Sequence, residues 1–186
     1  MNQVRLNAGV WRSRLLKFPD AEGLRPTPDR VRQTVFNWLG QDMTGRDCLD
    51  LFAGTGALGF EALSRNARQV TMLELAKGPY QALVQNQRLL DASKADIRQA
   101  DALQFLASNK QQYDVIFCDP PYNKQWLDKL LPQLAGHLAE EGWLYVEAEY
   151  ALKSGADWQV IKSGKAGQVF FHLLQPANQQ PDPGQA

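Results

Sequence analysis

Hydrophobic and polar positions along the chain follow two periods. From residue 46 onward, short apolar runs rich in Val, Ile, Leu and Phe alternate with longer segments whose apolar residues recur every three or four positions. The short runs predict strands at residues 48–53, 69–74, 96–99, 114–118 and 143–148. The longer segments predict helices at residues 58–65, 79–90, 102–107 and 126–138. Strands that alternate with helices make an α/β domain with a largely parallel sheet. Two final apolar runs, residues 158–162 and 168–174, have no helix between them, so an antiparallel pair at one sheet edge is expected, with Gly164 and Gly167 in its turn.

Ahead of this alternation the pattern changes. Residues 3–18 carry short alternating runs around Asn7-Ala8-Gly9, which predict a β-hairpin or extended arm with arginines on one side. A helix is expected after Leu24-Arg25-Pro26-Thr27-Pro28. Thr27 can cap it, Pro28 suits its first turn and Asp29 complements its positive end. Val31, Val35, Trp38 and Leu39 share one face, and Gly40 should end the helix. We therefore divide the chain into a basic arm and helix (residues 1–40), one catalytic α/β domain (41–175) and a tail (176–186). The tail is rich in Pro, Gln and Gly and is expected to be disordered.

Charge sharpens this division. The 20 basic and 20 acidic side chains balance overall. Residues 1–46, however, hold Arg5, Arg12, Arg14, Lys17, Arg25, Arg30, Arg32 and Arg46 against Asp20, Glu22, Asp29 and Asp42. A basic element joined to a more acidic module suits a phosphate-gripping arm beside a site for a cationic ligand; an ordinary solvated surface is the plain alternative. Two cysteines, no long apolar run and no basic-then-apolar leader at Met1 argue against a disulfide framework, a membrane span or secretion, and a cytoplasmic protein is expected.

Candidate chemistry begins at Asp50-Leu-Phe-Ala-Gly54-Thr-Gly56-Ala-Leu-Gly59, between a predicted strand and a predicted helix. Its glycines have the G-x-G-x-x-G spacing that lets backbone turn sharply and approach a ligand at the carboxyl edge of a sheet. Glu74, 20 residues after Gly54, can accept hydrogen bonds from ribose hydroxyls. The same spacing serves a nicotinamide dinucleotide or S-adenosylmethionine. Asp50 tilts the choice, because a carboxylate beside the loop repels a pyrophosphate and attracts the ammonium of a methionine moiety. Asp101 can bond an adenine amino group or cap the helix from Ala102.

Asp119-Pro120-Pro121-Tyr122 follows an apolar strand and narrows the reaction. An exocyclic amine on a base is a weak nucleophile because its lone pair is delocalised into the ring, so it must be held and aligned. The Asp119 carboxylate and the Pro120 carbonyl can face the amine hydrogens, the prolines stiffen the loop and Tyr122 can stack on the ring. His137 and His172 are read as structural, and Cys48 and Cys118 as small buried hydrophobes; no metal is expected.

At these residues the sequence resembles a known family. The glycine loop and Asp119-Pro-Pro-Tyr122 are similar to two motifs of class I amino-methyltransferases. Gly9-Val-Trp-Arg12-Ser-Arg14-Leu and Leu24-Arg-Pro-Thr-Pro-Asp-Arg30-Val-Arg32-Gln-Thr-Val-Phe-Asn37-Trp-Leu resemble the bacterial 16S ribosomal RNA guanine-N2 methyltransferases. Ser13 departs from the pattern, where the family usually has glycine. The resemblance implies a Rossmann-like seven-stranded sheet with helices on both faces. It implies that Asp50, Phe52, Gly54, Gly56, Glu74, Asp101 and Ala102 bind S-adenosylmethionine and that Asp119, Pro120 and Tyr122 position a guanine. It further implies 16S ribosomal RNA within the small subunit as substrate; the basic arm, with Arg12, Arg14, Arg25, Arg30 and Arg32, should supply phosphate contacts to it, and a monomer is expected. Other planar amines, an adenine N6 in DNA or a protein glutamine, are alternative targets, as is a non-catalytic assembly factor.

Overall fold

The computed structural model describes residues 1–122 and 125–179. Strands β1 (Asn2–Arg5) and β2 (Leu15–Phe18) form the arm hairpin, and α1 (Asp29–Leu39) follows. The main domain then runs β3 (Asp47–Asp50), α2 (Ala57–Ser64), β4 (Gln69–Leu73), α3 (Lys77–Leu90), β5 (Ala95–Arg98), α4 (Ala102–Ser108), β6 (Tyr113–Cys118) and α5 (Trp126–Leu134). It closes with β7 (Leu138–Ala148), β8 (Trp158–Ala166) and β9 (Val169–Pro176). Seven strands lie in the order β5-β4-β3-β6-β7-β9-β8. The first five are parallel, and β9 inserts antiparallel between β7 and the edge strand β8.

Parallel strands are covered on both faces, and consecutive residues of β3, β4 and β6 are buried accordingly. One face is covered by α1, α2, α3 and the hairpin, through Val35, Phe36, Phe60, Leu83, Leu16 and Phe18. The other is covered by α4 and α5, through Phe105, Leu106, Leu130 and Leu134. The hairpin thus shares the core of the sheet.

Several expectations are corrected. Thr27 does not cap α1: Pro28 holds the cap position without a side-chain bond, and the Thr27 hydroxyl turns to Glu147. The helix expected over 126–138 ends at Leu134 and tightens into a short 3-10 turn at Ala135–His137, after which β7 begins. Gly167 lies in the β8–β9 turn with φ +59°, but Gly164 lies within β8, where a Cβ would come 2.4 Å from the Phe171 ring. Pro176 ends β9, and the Ala177 N–H donates to the Asp157 carbonyl at 3.0 Å, so order extends into the expected tail. The rest of that tail, residues 180–186, lies outside the described residues.

Arg32 is the largest correction. It was expected on the RNA-binding face, yet it is fully buried. Its Nε donates to the Thr27 carbonyl at 3.1 Å, one terminal nitrogen to Glu61 at 3.3 Å, and the other to the Arg5 carbonyl at 3.0 Å and to Asp29. Burial disfavours this charge, and Asp29 and Glu61 offset the penalty. Glu61 also accepts from Arg65 Nε at 3.1 Å and from the Asn7 and Ala8 N–H groups at 2.9 and 3.1 Å. One buried carboxylate therefore fastens the hairpin loop and α1 to α2.

Ser13 sits at φ +71° in that loop, a left-handed conformation that costs a side-chain-bearing residue about 1 kcal/mol. This is the physical reason for a glycine there. Gly9, at φ +83°, lies so close to α2 that a Cβ would overlap the Ser64 carbonyl.

Replacing Glu61 with Ala should lower unfolding free energy by about 3–5 kcal/mol, because buried Arg65 loses this carboxylate partner and buried Arg32 loses one of its two. Chemical denaturation measures this, and limited proteolysis should cut first in the loosened hairpin.

Candidate active site

The sheet changes winding direction between β3 and β6: from β3 the chain proceeds outward to β4 and β5, then crosses back to β6. Open α/β sheets bind ligands in the crevice at such a point. Asp50 ends β3, Glu74 follows β4, Asp101 precedes α4 after β5, and Asp119 follows β6. Topology thus lines up four of the sequence-selected carboxylates along one edge.

The loop from β3 is built to turn. Gly54 and Gly56 have φ of +55° and +83°, and the Gly56 N–H closes the turn on the Ala53 carbonyl at 2.8 Å. A Cβ on Gly56 would come 2.6 Å from the Phe60 ring, so the loop can lie this close to α2 only without one. Glu74 accepts from the Gly54 N–H and the Ala76 N–H, both at 3.0 Å, through separate oxygens. It fixes the loop against the start of α3 and keeps a lone pair on each oxygen for a ligand. Asp101 caps α4 by accepting from the Gln104 N–H at 3.0 Å, and Ala102 is buried behind it.

Asp50 is buried and accepts from the Gly59 N–H at 3.2 Å. Burial pushes its carboxyl up to about 7, aided by the charges of Glu74 and Glu147. A small cavity beside it is lined by Arg25, Thr27, Phe52, Gly54 and Asp119. Asp50 and Asp119 offer acceptors in this lining to an ammonium group, and Arg25 is its cation. The residues fit S-adenosylmethionine.

A second cleft of about 420 Å³ opens beyond the β6 loop, lined by Pro120, Pro121, Tyr122, Trp126, Glu147, Glu149 and Tyr150. Tyr122 and Tyr150 are exposed within it, and Phe52 packs edge-on to Trp126 at 5.3 Å between the two cavities. Asn123 and Lys124, in the loop after Tyr122, lie outside the described residues.

The sequence missed Glu147. It is buried on β7, beside the end of β6, because Cys118 pairs with Val146. One of its oxygens accepts from Tyr145 Oη at 2.7 Å and Thr27 Oγ1 at 3.1 Å, and its carboxyl group is hydrogen-bonded to that of Asp119. Burial drives Asp119 well above the usual carboxylate range, and the adjacent Glu147 charge drives it further. An acid in an apolar strand with no motif around it gives no signal in sequence. A glutamate at an inward-facing position of a core strand was the one available hint.

Of the remaining expected residues, Arg25 is exposed at the first cavity, Arg12 and Arg30 are exposed, Arg14 is exposed with a bond to the Leu89 carbonyl at 3.0 Å, and Arg32 is buried as described. Cys48 and Cys118 are buried thiols whose ionisation burial opposes. His172 is buried, its ring bridging the Val146 carbonyl and the Leu152 N–H, and burial lowers its basicity. Among the described residues no helix is long and apolar enough to cross a membrane.

The chain is similar to known proteins along almost its whole length. It matches the family model described as conserved hypothetical protein 95 over residues 4–175. It is 41% identical over 180 residues to ribosomal RNA small subunit methyltransferase D of Escherichia coli strain K12, covering 93% of this chain and 90% of that protein. The Haemophilus influenzae protein of the same name is 41% identical over 185 residues, covering 93% and 94%. A solved Escherichia coli structure aligns with a TM-score of 0.85 at 40% identity, covering 94% of this chain and 98% of that one. Matched along almost its whole length in both sequence and fold, the chain belongs to the conserved hypothetical protein 95 family, that of the ribosomal RNA small subunit methyltransferases D.

Proposed function

We propose that this protein transfers a methyl group from S-adenosylmethionine to the exocyclic N2 amine of a guanine in 16S ribosomal RNA. The observation that carries the reading is the placement of Asp119-Pro-Pro-Tyr122 beside the glycine loop at the sheet's switch point, in a chain whose 41%-identical relatives are small-subunit ribosomal RNA methyltransferases. Asp50, Glu74 and Asp101, with Phe52, Ala102 and the Gly54–Gly56 backbone, hold the cofactor. When bound it supplies an electrophilic methyl group.

The chain's own work is positioning. Asp119 and the Pro120 carbonyl accept the two amine hydrogens, which turns the nitrogen lone pair toward the methyl donor. A loop guanine leaves its stack to reach them. Tyr122 offers one face for the displaced ring, and Tyr150, across the same cleft, offers a second. Arg12, Arg14, Arg25 and Arg30 supply phosphate contacts; Arg32, with its donors spent inside, does not. The protein acts as a monomer on RNA in the assembling small subunit.

Incubation with tritiated S-adenosylmethionine and small subunits, or free ribosomal RNA, from a strain lacking the gene should place label in N2-methylguanosine. Asp119→Ala should reduce the rate at least about a hundredfold while leaving cofactor affinity intact. Label in another nucleoside or in protein would overturn the assignment.

Two further outcomes follow from charge. The cofactor ammonium pairs with ionised Asp50, whose carboxyl lies near 7 in the free protein. Affinity should therefore weaken as pH falls from about 8 to about 6, approaching tenfold per unit on the acid side, and Asp50→Asn should abolish that slope. Titration calorimetry reads both. Replacing Arg12 and Arg14 together with Ala should weaken RNA binding and reduce its salt slope by about 2, with cofactor affinity unchanged.

A further inference from the structure

We propose that Glu147 is the proton acceptor behind Asp119, the two carboxyls forming a relay that Tyr145 and Thr27 hold in place. The proposal rests on the amine-methylation reading above and adds a residue that no motif contains. Glu147 lies beside Asp119 because β6 and β7 are parallel neighbours, and it is only 4% exposed. Three donors converge on it: Tyr145 Oη at 2.7 Å, Thr27 Oγ1 at 3.1 Å and the carboxyl of Asp119. Two hydroxyls aimed at one oxygen stabilise an ionised Glu147. Two carboxylates in contact cannot both ionise, so Asp119 keeps the shared proton and donates it toward Glu147.

This arrangement changes what Asp119 presents to the target. Its hydroxyl faces Glu147, and its second oxygen, a carbonyl, remains to accept from the amine. As the amine nitrogen bonds to the methyl carbon, the carbon–sulfur bond breaks and its electron pair leaves with sulfur. The methylated nitrogen, now cationic, gives one proton to the free Asp119 oxygen. Asp119 passes its own proton to Glu147. The products are a neutral secondary amine, a neutral Asp119 and a neutral Glu147. The cationic charge of the donor and the anionic charge of Glu147 cancel. Water takes the proton back through Asp119 after release.

The surroundings bear on this titration from every side. Asp50 faces the pair from the end of β3, and Tyr122 and Glu149 from the adjoining cleft. Thr27 and Arg25 approach from the segment ahead of α1. From β9, Phe171 lies opposite Glu147, while His172 bonds the Val146 carbonyl on the other face of the sheet. Thr27 belongs to the arm rather than to the catalytic domain. The relay is complete only when the arm is seated.

The test uses the full chain with its aspartate and glutamate carboxyl carbons labelled with carbon-13, without cofactor or RNA. One aspartate resonance should remain at its protonated shift through neutral pH, disappear in Asp119→Asn and titrate at lower pH in Glu147→Gln than in the wild type, burial and Asp50 still holding it above the ordinary carboxylate range. Single-turnover methylation at a pH above about 8, where Asp50 is ionised in both proteins, should then show Glu147→Gln slowed about 10²- to 10⁴-fold, with KM for the cofactor unchanged. The acid limb of the pH–rate profile should move to higher pH in Tyr145→Phe and in Thr27→Val, each of which removes one donor from Glu147. Asp119 titrating as an ordinary carboxylate in the wild type, or a wild-type pH–rate profile in Glu147→Gln, would overturn the relay. Should Glu147→Gln fail to fold, the shifts in Tyr145→Phe and Thr27→Val decide alone. Failure of the wild type to methylate RNA would overturn the functional reading instead, and the carbon-13 titration would still judge the pair.

Discussion

The buried carboxylate of Glu61 is the tie on which the rest of the active-site face depends. Arg32 of α1, Arg65 beyond the end of α2 and the backbone of the hairpin loop all converge on it. A buried acid is costly unless fully paired, and here two guanidinium groups and two backbone amides pair it. Because α2 begins at the glycine loop, the tie also sets the arm relative to the cofactor edge. Thr27 and Arg25, which lie between hairpin and α1, reach the β3–β6 crevice as a result. Arm and catalytic domain are therefore one body mechanically, whatever their separate roles.

At the crevice itself the governing quantity is negative charge in a confined space. Burial raises Asp50, Asp119 and Glu147 alike, the Glu147 charge raises the other two further, and Asp50 adds to the rise at Asp119. Such crowding serves a cationic ligand on one side, at Asp50. It serves proton capture on the other, at the Asp119–Glu147 pair. The hydroxyls of Tyr145 and Thr27 make these demands compatible, since they fix the remaining charge on Glu147 and leave Asp119 an acceptor. The Phe52–Trp126 contact stands between the cavity beside Asp50 and the aromatic cleft beyond β6.

Much of this was legible in the chain. Strand and helix periods gave the order of elements, because each segment must bury one face or both whatever its neighbours are. The glycine loop, Glu74 and Asp119-Pro-Pro-Tyr122 were legible because backbone conformation and a stiff loop demand particular residues at particular spacings. Gly40 and the Ser13 departure from glycine were legible too, and both have positive φ.

Only the tertiary structure decided which charged residues face water and which meet one another. Arg32 and Arg30 look alike in sequence, two positions apart in one arginine-rich helix, yet one is sealed against Glu61 and the other is exposed. Thr27 looked like a helix cap and is a donor to Glu147, and Glu147 looked like an unremarked strand residue and is the partner of Asp119. Local pattern determines how a segment folds, because backbone geometry is set within a few residues. The company a side chain keeps is set by strand order and by the seating of the arm, which bring together Thr27, Asp119 and Glu147 from distant parts of the chain. Ionisation depends on that company, so the sequence supplied the groups and the fold supplied their chemistry.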